Sequence, residues 1–404
     1  MKPHLLILCD PFTPPAYTPR LRCWCDYLTK QGWRIDVYTE QGEPLTFSHH
    51  YPIHEVCIYR THSTIEWAVK SVCSLLFDWR NRAFSHRVRS AIAGKRYDAV
   101  VCCTFSTFPL RAALDIARER HLPLHVDLRD IDEQAPNAQY QNHRQWWARP
   151  FRAWYSHTNI RRRNQVLRQA DAITCVSPWH KQFLSAFNSN VSLIYNGYDA
   201  AIFSPHDQQV DEFTIAYVGR IYEHPMQDPT LLFEALQTMD INLHICWYTN
   251  SAGKQRIRHL AKQYGVERFM RYFDYVPPAQ VPAILHSASI LLVLSNNAVD
   301  SGAHGIMTTK FYEALGVEKP VLCIRSDEEC LAQVIHDTNA GLAATTADQV
   351  KAFILSAYHE WQQNGFTHRQ VDQDRKRMFS RQYQAQQLET LLLTIIRPRT
   401  ATYD

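Results

Sequence analysis

The sequence predicts an α/β protein built from two doubly wound, Rossmann-like domains. Three observations lead there. Short apolar or β-branched runs alternate with longer helical stretches along the whole chain, as parallel strands and crossover helices do. The series restarts at Phe213, just after the polar stretch PHDQQVDE at 205–212. The chain has 404 residues, 46% of them hydrophobic, which is too much for one ordinary core and suits two.

The first strand is expected at 5–9 (LLILC) and the first helix at 21–31, stopped by Gly32. Strands are then expected at 34–39, 56–60, 98–103, 124–127, 172–176 and 191–195. The second series runs 213–218, 243–247, 272–276, 290–294 and 321–324. A last helix, about 380–396, spaces Tyr383, Leu388, Leu391, Leu392 and Ile395 along a helical face. The expected domains are 1–205 and 206–378, with 379–404 as a closing helix.

Composition narrows the function. A net charge of +4 over this length is mild and does not argue for a nucleic-acid partner. The 11 cysteines include Cys9, Cys102, Cys103, Cys175 and Cys323 inside apolar runs, the setting of reduced, buried thiols. No C-x-x-C pair is present. The opening MKPHLLILCDPFTPP is too short in apolar residues for a secretory signal, and no run approaches the length of a membrane span. A cytoplasmic protein is expected, either free or held at the inner membrane face.

In doubly wound sheets ligands bind at the carboxyl ends of strands, so chemistry is sought there. The richest stretch is GAHGIMTTKFYEALGVEKPVLCI at 302–324. A loop carrying Gly302 and Gly305 leads to a helix opening near Thr308. Lys310 and Glu313 then lie one turn apart on one face. The free amides of the helix start, at Thr309, together with Lys310, form a site for a diphosphate. Glu313 suits a ribose diol. Taken alone, the pair reads as well as an ordinary surface Lys/Glu pair. A second stretch, FTIAYVGRIYEH from 213, runs a strand straight into Gly219 and Arg220, where an arginine can grip phosphate. A third, ADAITCVSPWHKQFL then VSLIYNGYDAAIFSP, gives strands that end in a helix cap and a tight turn.

Together and in this order, these stretches resemble the retaining glycosyltransferases of family 4, which have the GT-B fold. The residues that carry the resemblance are ADAITCVS at 170–177, YNGYDAAIF at 195–203, YVGR at 217–220 and KFYEALGVEKPV at 310–321. The likeness extends to FTPPAYTPRLRCWCDYLTKQGWRIDVYT near the N-terminus, VDLRDIDEQAP from Val126, and FSRQYQAQQLETLL at the closing helix. It implies two Rossmann-like domains facing a central cleft, with the last helix crossing back to the N-terminal domain.

The resemblance also implies roles. Arg220 and Lys310 would hold the donor diphosphate and stabilise it as it leaves, and Glu313 would bind the ribose. Gly219, Gly302, Gly305 and Thr309 would let backbone approach the donor. Asp127, Arg129 and Asp130 would face the acceptor or the donor sugar, Asp130 standing with Arg220 and Lys310 as a catalytic candidate. The implied reaction needs no metal and no cofactor besides the nucleotide-diphosphate sugar, because fixed cations and amides meet the departing charge. Three places depart from the pattern, the first being the opening loop, which carries Pro11, Pro14, Pro15 and Pro19 instead of the usual glycines. The acidic residue many members carry eight positions before the ribose-binding glutamate is Gly305 here, with Asp300 and His304 nearby. The loop after Arg220, IYEHPMQDP, holds no lysine.

Two further signals stand apart. His49, His50 and His54 cluster in FSHHYPIHEV, but no carboxylate or cysteine joins them at ligand spacing, so a solvated loop is expected ahead of a metal site. The stretches 67–89 and 145–168 mix tryptophans with arginines. They read either as helices lying in a membrane interface or as helices packed on the N-terminal domain with a wet basic face. The membrane reading suits a lipid-linked saccharide acceptor in surface polysaccharide assembly. Besides a glycosyltransferase, a sugar-nucleotide epimerase of the same fold and a non-catalytic scaffold remain open at this level.

Overall fold

The computed structural model describes residues 2–10, 19–42, 44–45, 47–58, 63–105, 107–131, 133, 149–221, 227–294, 303–324 and 329–396. They fall into two compact units: residues up to 133, 149–195 and 384–396 in the first, and 196–383 in the second.

The first unit holds β1 (His4–Cys9), α1 (Pro19–Lys30), β2 (Arg34–Glu40), β3 (Ile53–Val56), α2 (Thr64–Phe77), α3 (Trp79–Ala91) and β4 (Ala99–Thr104). It continues with α4 (Leu110–Glu119), β5 (Leu124–Leu128), α5 (Arg149–Leu167), β6 (Ala172–Cys175), α6 (Pro178–Leu184) and β7 (Val191–Leu193). The seven strands order as β3-β2-β1-β4-β5-β6-β7. Every pair is parallel. Alternation along β1 shows why its run is continuously apolar. Leu6 and Leu8 enter a core with Phe84 and Val88 of α3 and Leu114 of α4. Leu5, Ile7 and Cys9 enter a second core, on the other face, with Trp24 and Leu28 of α1.

The second unit holds β8 (Thr214–Val218), α7 (Thr230–Gln237), β9 (His244–Tyr248), α8 (Ser251–Tyr264), β10 (Met270–Phe273), α9 (Val281–Ser287) and β11 (Ile290–Leu294). Then come α10 (Thr309–Val317), β12 (Val321–Ile324), α11 (Glu329–Asp337), β13 (Gly341–Ala344), α12 (Ala347–Asn364), α13 (Gln373–Arg377) and α14 (Arg381–Ile396). Its strands order as β10-β9-β8-β11-β12-β13, again all parallel. The chain rejoins the first unit at Gln384. There Ala385, Leu388 and Leu392 of α14 complete the core around Trp24 and Leu28, and Glu389 accepts hydrogen bonds from Trp33 Nε1 at 2.8 Å and Tyr27 Oη at 3.0 Å. The amphipathic spacing of the last helix is therefore satisfied within the first unit.

Three strands differ from expectation. Strand β10 lies at Met270–Phe273 rather than 272–276, because those residues pair with Ile245 to Tyr248 of β9. Strand β3 lies at Ile53–Val56 rather than 56–60, because Val37 to Glu40 of β2 pair with 53–56. The richer apolar run CIY drew the expectation three residues on; 59–60 lie outside the described residues. The strand β13, GLAA, was missed because it lacks β-branched residues. Its glycine is there for closeness: a Cβ at Gly341 would sit 1.9 Å from the Val321 carbonyl oxygen. Local caps agree with the sequence. Ser177 accepts the His180 amide at 3.2 Å and opens α6. All eleven cysteines are free. No helix of the described residues is long and apolar enough to cross a membrane.

Candidate functional site

Both sheets reverse their winding beside the first strand of the unit, between β1 and β4 and between β8 and β11. In such sheets the crevice at the carboxyl ends of that strand pair is the natural ligand site.

In the second unit this point gathers the residues expected to hold a donor. Strand β8 ends at Val218 and runs into Gly219, which has φ 143°. The side chain of Lys310, from the first turn of α10, lies flat against that glycine. A Cβ there would stand 2.0 Å from Lys310 Cε and 2.9 Å from Nζ. Any side chain here would have to push the end of Lys310 aside, and the positive φ favours glycine on its own account. The Nζ lies 5.8 Å from the centre of the Tyr217 ring, and the Tyr217 hydroxyl donates to the Arg220 carbonyl at 2.8 Å, fixing the strand end. The Arg220 side chain is exposed.

Lys310 is an ammonium partly stripped of water. Burial holds its pKa below the ordinary lysine value, and the Glu313 carboxylate only partly offsets this. Burial likewise pushes Glu313 up, opposed by Lys310 and then by Arg381 at the start of α14. Arg381 is fixed in turn: its amide donates to the Tyr198 carbonyl at 2.8 Å, its Nε to the Gly197 carbonyl at 3.3 Å, and Asp199 stands 3.9 Å away. This explains the NGYD turn, which seats the base of α14. At the N-terminus of α10, Thr308 is extended and its side chain caps no amide, while the Phe311 amide donates to the Thr308 carbonyl at 3.2 Å. Thr309 is exposed at this end; Gly305 is buried with φ 62°, and His304 is exposed. Gly302 and Asp300 lie outside the described residues.

The first unit brings together a different set. Asp127, inside β5, has no exposed surface. Its carboxylate accepts from Arg20 Nη2 at 2.9 Å and Nε at 3.2 Å, from Thr174 Oγ1 at 2.7 Å and from Cys103 Sγ at 3.1 Å. All its acceptor positions are thus engaged. Burial alone would raise its pKa, but the charge and hydrogen bonds of Arg20 and the Thr174 hydroxyl hold it below the ordinary value. Arg20 also donates to the carbonyls of Ile194 and Tyr195 at 2.6 Å, so the pair ties α1, β5 and the end of β7 together. Arg129 is buried and its Nη2 reaches Asp10 at 3.3 and 3.4 Å. Asp10 follows β1 directly and also accepts the Phe105 amide at 3.0 Å and the Thr104 hydroxyl at 3.2 Å. Burial raises its pKa, with Arg129 as the main opposing influence. Asp130 is exposed beside them.

Sequence reasoning missed Arg20, Asp10, Tyr217 and Arg381. Asp10 carried a signal: it stands at the carboxyl end of a strand, where Gly219 and Arg220 were sought. Arg20 carried none, since its partner lies 107 positions away. Of the histidine cluster, His49 Nδ1 lies 2.9 Å from the Tyr51 carbonyl oxygen, and His54 stacks on Tyr38 with ring centres 4.5 Å apart.

The second unit thus sets a partly buried lysine, a helix start without a side-chain cap and a carboxylate one turn on at the point where its parallel sheet reverses. Known proteins agree in order along the chain. The family model Glycosyltransferase Family 4 matches residues 21–202, and Glycosyl transferases group 1 matches 199–372. The chain is a glycosyltransferase of the GT-B fold, an enzyme of the transferase class.

Particular relatives are distant. The chain is similar to D-inositol 3-phosphate glycosyltransferase of Corynebacterium glutamicum (strain R), 27% identical over 128 residues; the match spans 26% of this chain and 30% of that protein. In structure it is similar to sucrose-phosphate synthase of Thermosynechococcus elongatus, with TM-score 0.67 and 14% identity over 98% of this chain and 99% of that one. It is equally similar to Anabaena Alr3699/HepE in complex with UDP and glucose, with TM-score 0.67 and 14% identity over 97% and 100%.

Proposed function

We propose that this chain is a retaining glycosyltransferase that moves a hexose-type sugar from a nucleotide-diphosphate sugar to a saccharide. The acceptor in this reading is lipid-linked and belongs to surface polysaccharide assembly at the inner membrane face. The observation that carries the donor half is the Lys310 ammonium, partly desolvated against Gly219 and next to the uncapped start of α10. A cation so placed gains most from an anion that replaces lost water.

In this reading Lys310, Arg220 and the amides near Thr309 hold the diphosphate. Gly219, Gly302 and Gly305 let its oxygens and the sugar approach backbone, and Glu313 takes the ribose hydroxyls, with Lys310 and then Arg381 opposing the upward pull of burial on its pKa. As the bond from the anomeric carbon to the phosphate oxygen breaks, its electron pair passes to that oxygen, where Lys310 and Arg220 already stand. No metal or further cofactor is needed for that charge. Arg129 and Asp130 contact the acceptor or the donor sugar. Asp127 acts through Arg20 as a positioning residue. A uridine donor is the first choice, since the similar HepE structure holds UDP and glucose.

The test is transfer from UDP-sugars by wild type and Lys310→Ala, with the product's anomeric configuration read by NMR. Retained configuration and loss of transfer in the variant are expected. An inverted product would remove the retaining assignment, and unchanged transfer in the variant would remove the donor site.

A further inference from the structure

We infer that the face formed by α2 and α5 in the first unit docks on an anionic lipid bilayer; this deepens the lipid-linked acceptor reading and rests on it for its purpose. Eleven large hydrophobic side chains are exposed among the described residues, and six of them sit on these two helices. Val69, Val72 and Leu76 fall at i, i+3 and i+7, one stripe of α2, and are 56%, 39% and 52% exposed. Phe77 extends the stripe at 60%. On α5, Trp154 and Tyr155 are exposed at 48% and 38%. The helices are held together: Arg162 donates to the carbonyls of Ser74 at 2.9 Å and Leu75 at 2.6 Å. A clustered apolar face of this kind marks an interaction site, whereas scattered exposed residues do not.

Charge chooses the occupant. The helix α3 starts one residue after α2 ends, and α3 and α5 together carry nine arginines and no acidic residue. The whole chain carries a net charge of only +4. Arg80, Arg89 and Arg163 are paired with Glu40, Glu119 and Glu133, and Arg162 lies near Asp78. Arg82, Arg87 and Arg161 are exposed and make no ion pair among the described residues. The carboxylate of α2 itself, Glu66, is tied to Lys70 on the same helix. The face is thus apolar and aromatic, and Arg161 falls at i+7 from Trp154 on the same stripe of α5. Aliphatic and tryptophan side chains enter the acyl boundary while arginines meet lipid phosphates.

The experiment is co-sedimentation of the full chain with vesicles of phosphatidylcholine alone or with added phosphatidylglycerol, at low and high salt. Wild type, Leu76→Asp with Phe77→Asp, and Arg82→Glu with Arg161→Glu are compared, with melting temperature and UDP binding measured on each. Wild type should bind the phosphatidylglycerol vesicles and release in salt. Both double variants should lose roughly tenfold in binding with melting and UDP binding unchanged. Equal binding by variants and wild type would overturn the proposal, as would salt-insensitive binding to both vesicles. A wild-type dimer that Leu76→Asp with Phe77→Asp dissolves would also overturn it, since a second copy would then cover the face. Failure to bind any sugar nucleotide, with vesicle binding intact, would count against the donor reading alone.

Discussion

At the scale of single residues, the proposed donor site turns on how closely Lys310 and Gly219 approach. A methyl group at Gly219 has no room, because Lys310 Cε already occupies its place. Gly219→Ala should therefore displace Lys310 and weaken donor binding by about tenfold or more, measured by calorimetry, with little change in overall fold. Lys310→Ala should lower kcat by roughly a hundredfold or more, the range lost with one preorganised charge. Its melting temperature should stay level or rise without ligand, because the variant removes a charge that is costly to bury. The sign follows from linkage. The folded Lys310 has a depressed pKa, so in the window between that value and the ordinary one the unfolded chain binds more protons. Stability rises with pH through that window, and a bound diphosphate should remove the effect.

Residues also set the limit of what the sequence could tell. Lys310 and Glu313 were legible because both sit on one helical turn, and Gly219 with Arg220 because a strand ends there. That Lys310 packs on Gly219 was not legible, since 91 positions separate them. Asp127 shows the opposite case. The resemblance implied a carboxylate facing the acceptor or the donor sugar, but Arg20, Thr174 and Cys103 converge on it from three other elements.

At the scale of elements, β5 and α6 of the first unit hold a pH response. His125 in β5 and His180 in α6 are both buried, and burial lowers each from the ordinary 6.5 to about 4. His125 lies 2.9 Å from the Thr174 hydroxyl of β6, while neither ring nitrogen of His180 has a partner among the described residues. Between about 4 and 6.5 the unfolded state takes up protons that the folded state refuses. Stability should therefore fall as pH drops through that window, by up to roughly 3 kcal/mol for each histidine. Urea unfolding at pH 7 and pH 5 should show the loss, and His180→Met should reduce it while leaving stability at pH 7 unchanged or improved. Elements were legible where periodicity was strong, as in β11, β12 and α14. The strand β13 was hidden because close packing on Val321 selects small residues, which carry no strand preference.

At the scale of the whole molecule, the restart of the strand series at Phe213 was the clearest feature of the sequence, and two parallel sheets with reversed winding follow from it. The closing helix was legible as an amphipathic segment, and its return to the first unit rests on contacts such as Trp33 with Glu389 that no local pattern encodes. The chemistry of transfer depends first on whether the second unit binds a nucleotide-linked sugar. The most direct measurement is therefore a thermal-shift titration of wild type and Lys310→Ala with UDP-, GDP-, dTDP- and ADP-sugars without added metal. A rise in Tm for wild type with one nucleotide class, on the order of 3 kcal/mol of linkage at a hundredfold excess over Kd and absent in Lys310→Ala, is the expected result. An equal rise in both proteins, or none in a folded wild type with any of the four, would overturn the assignment of the donor site to Lys310.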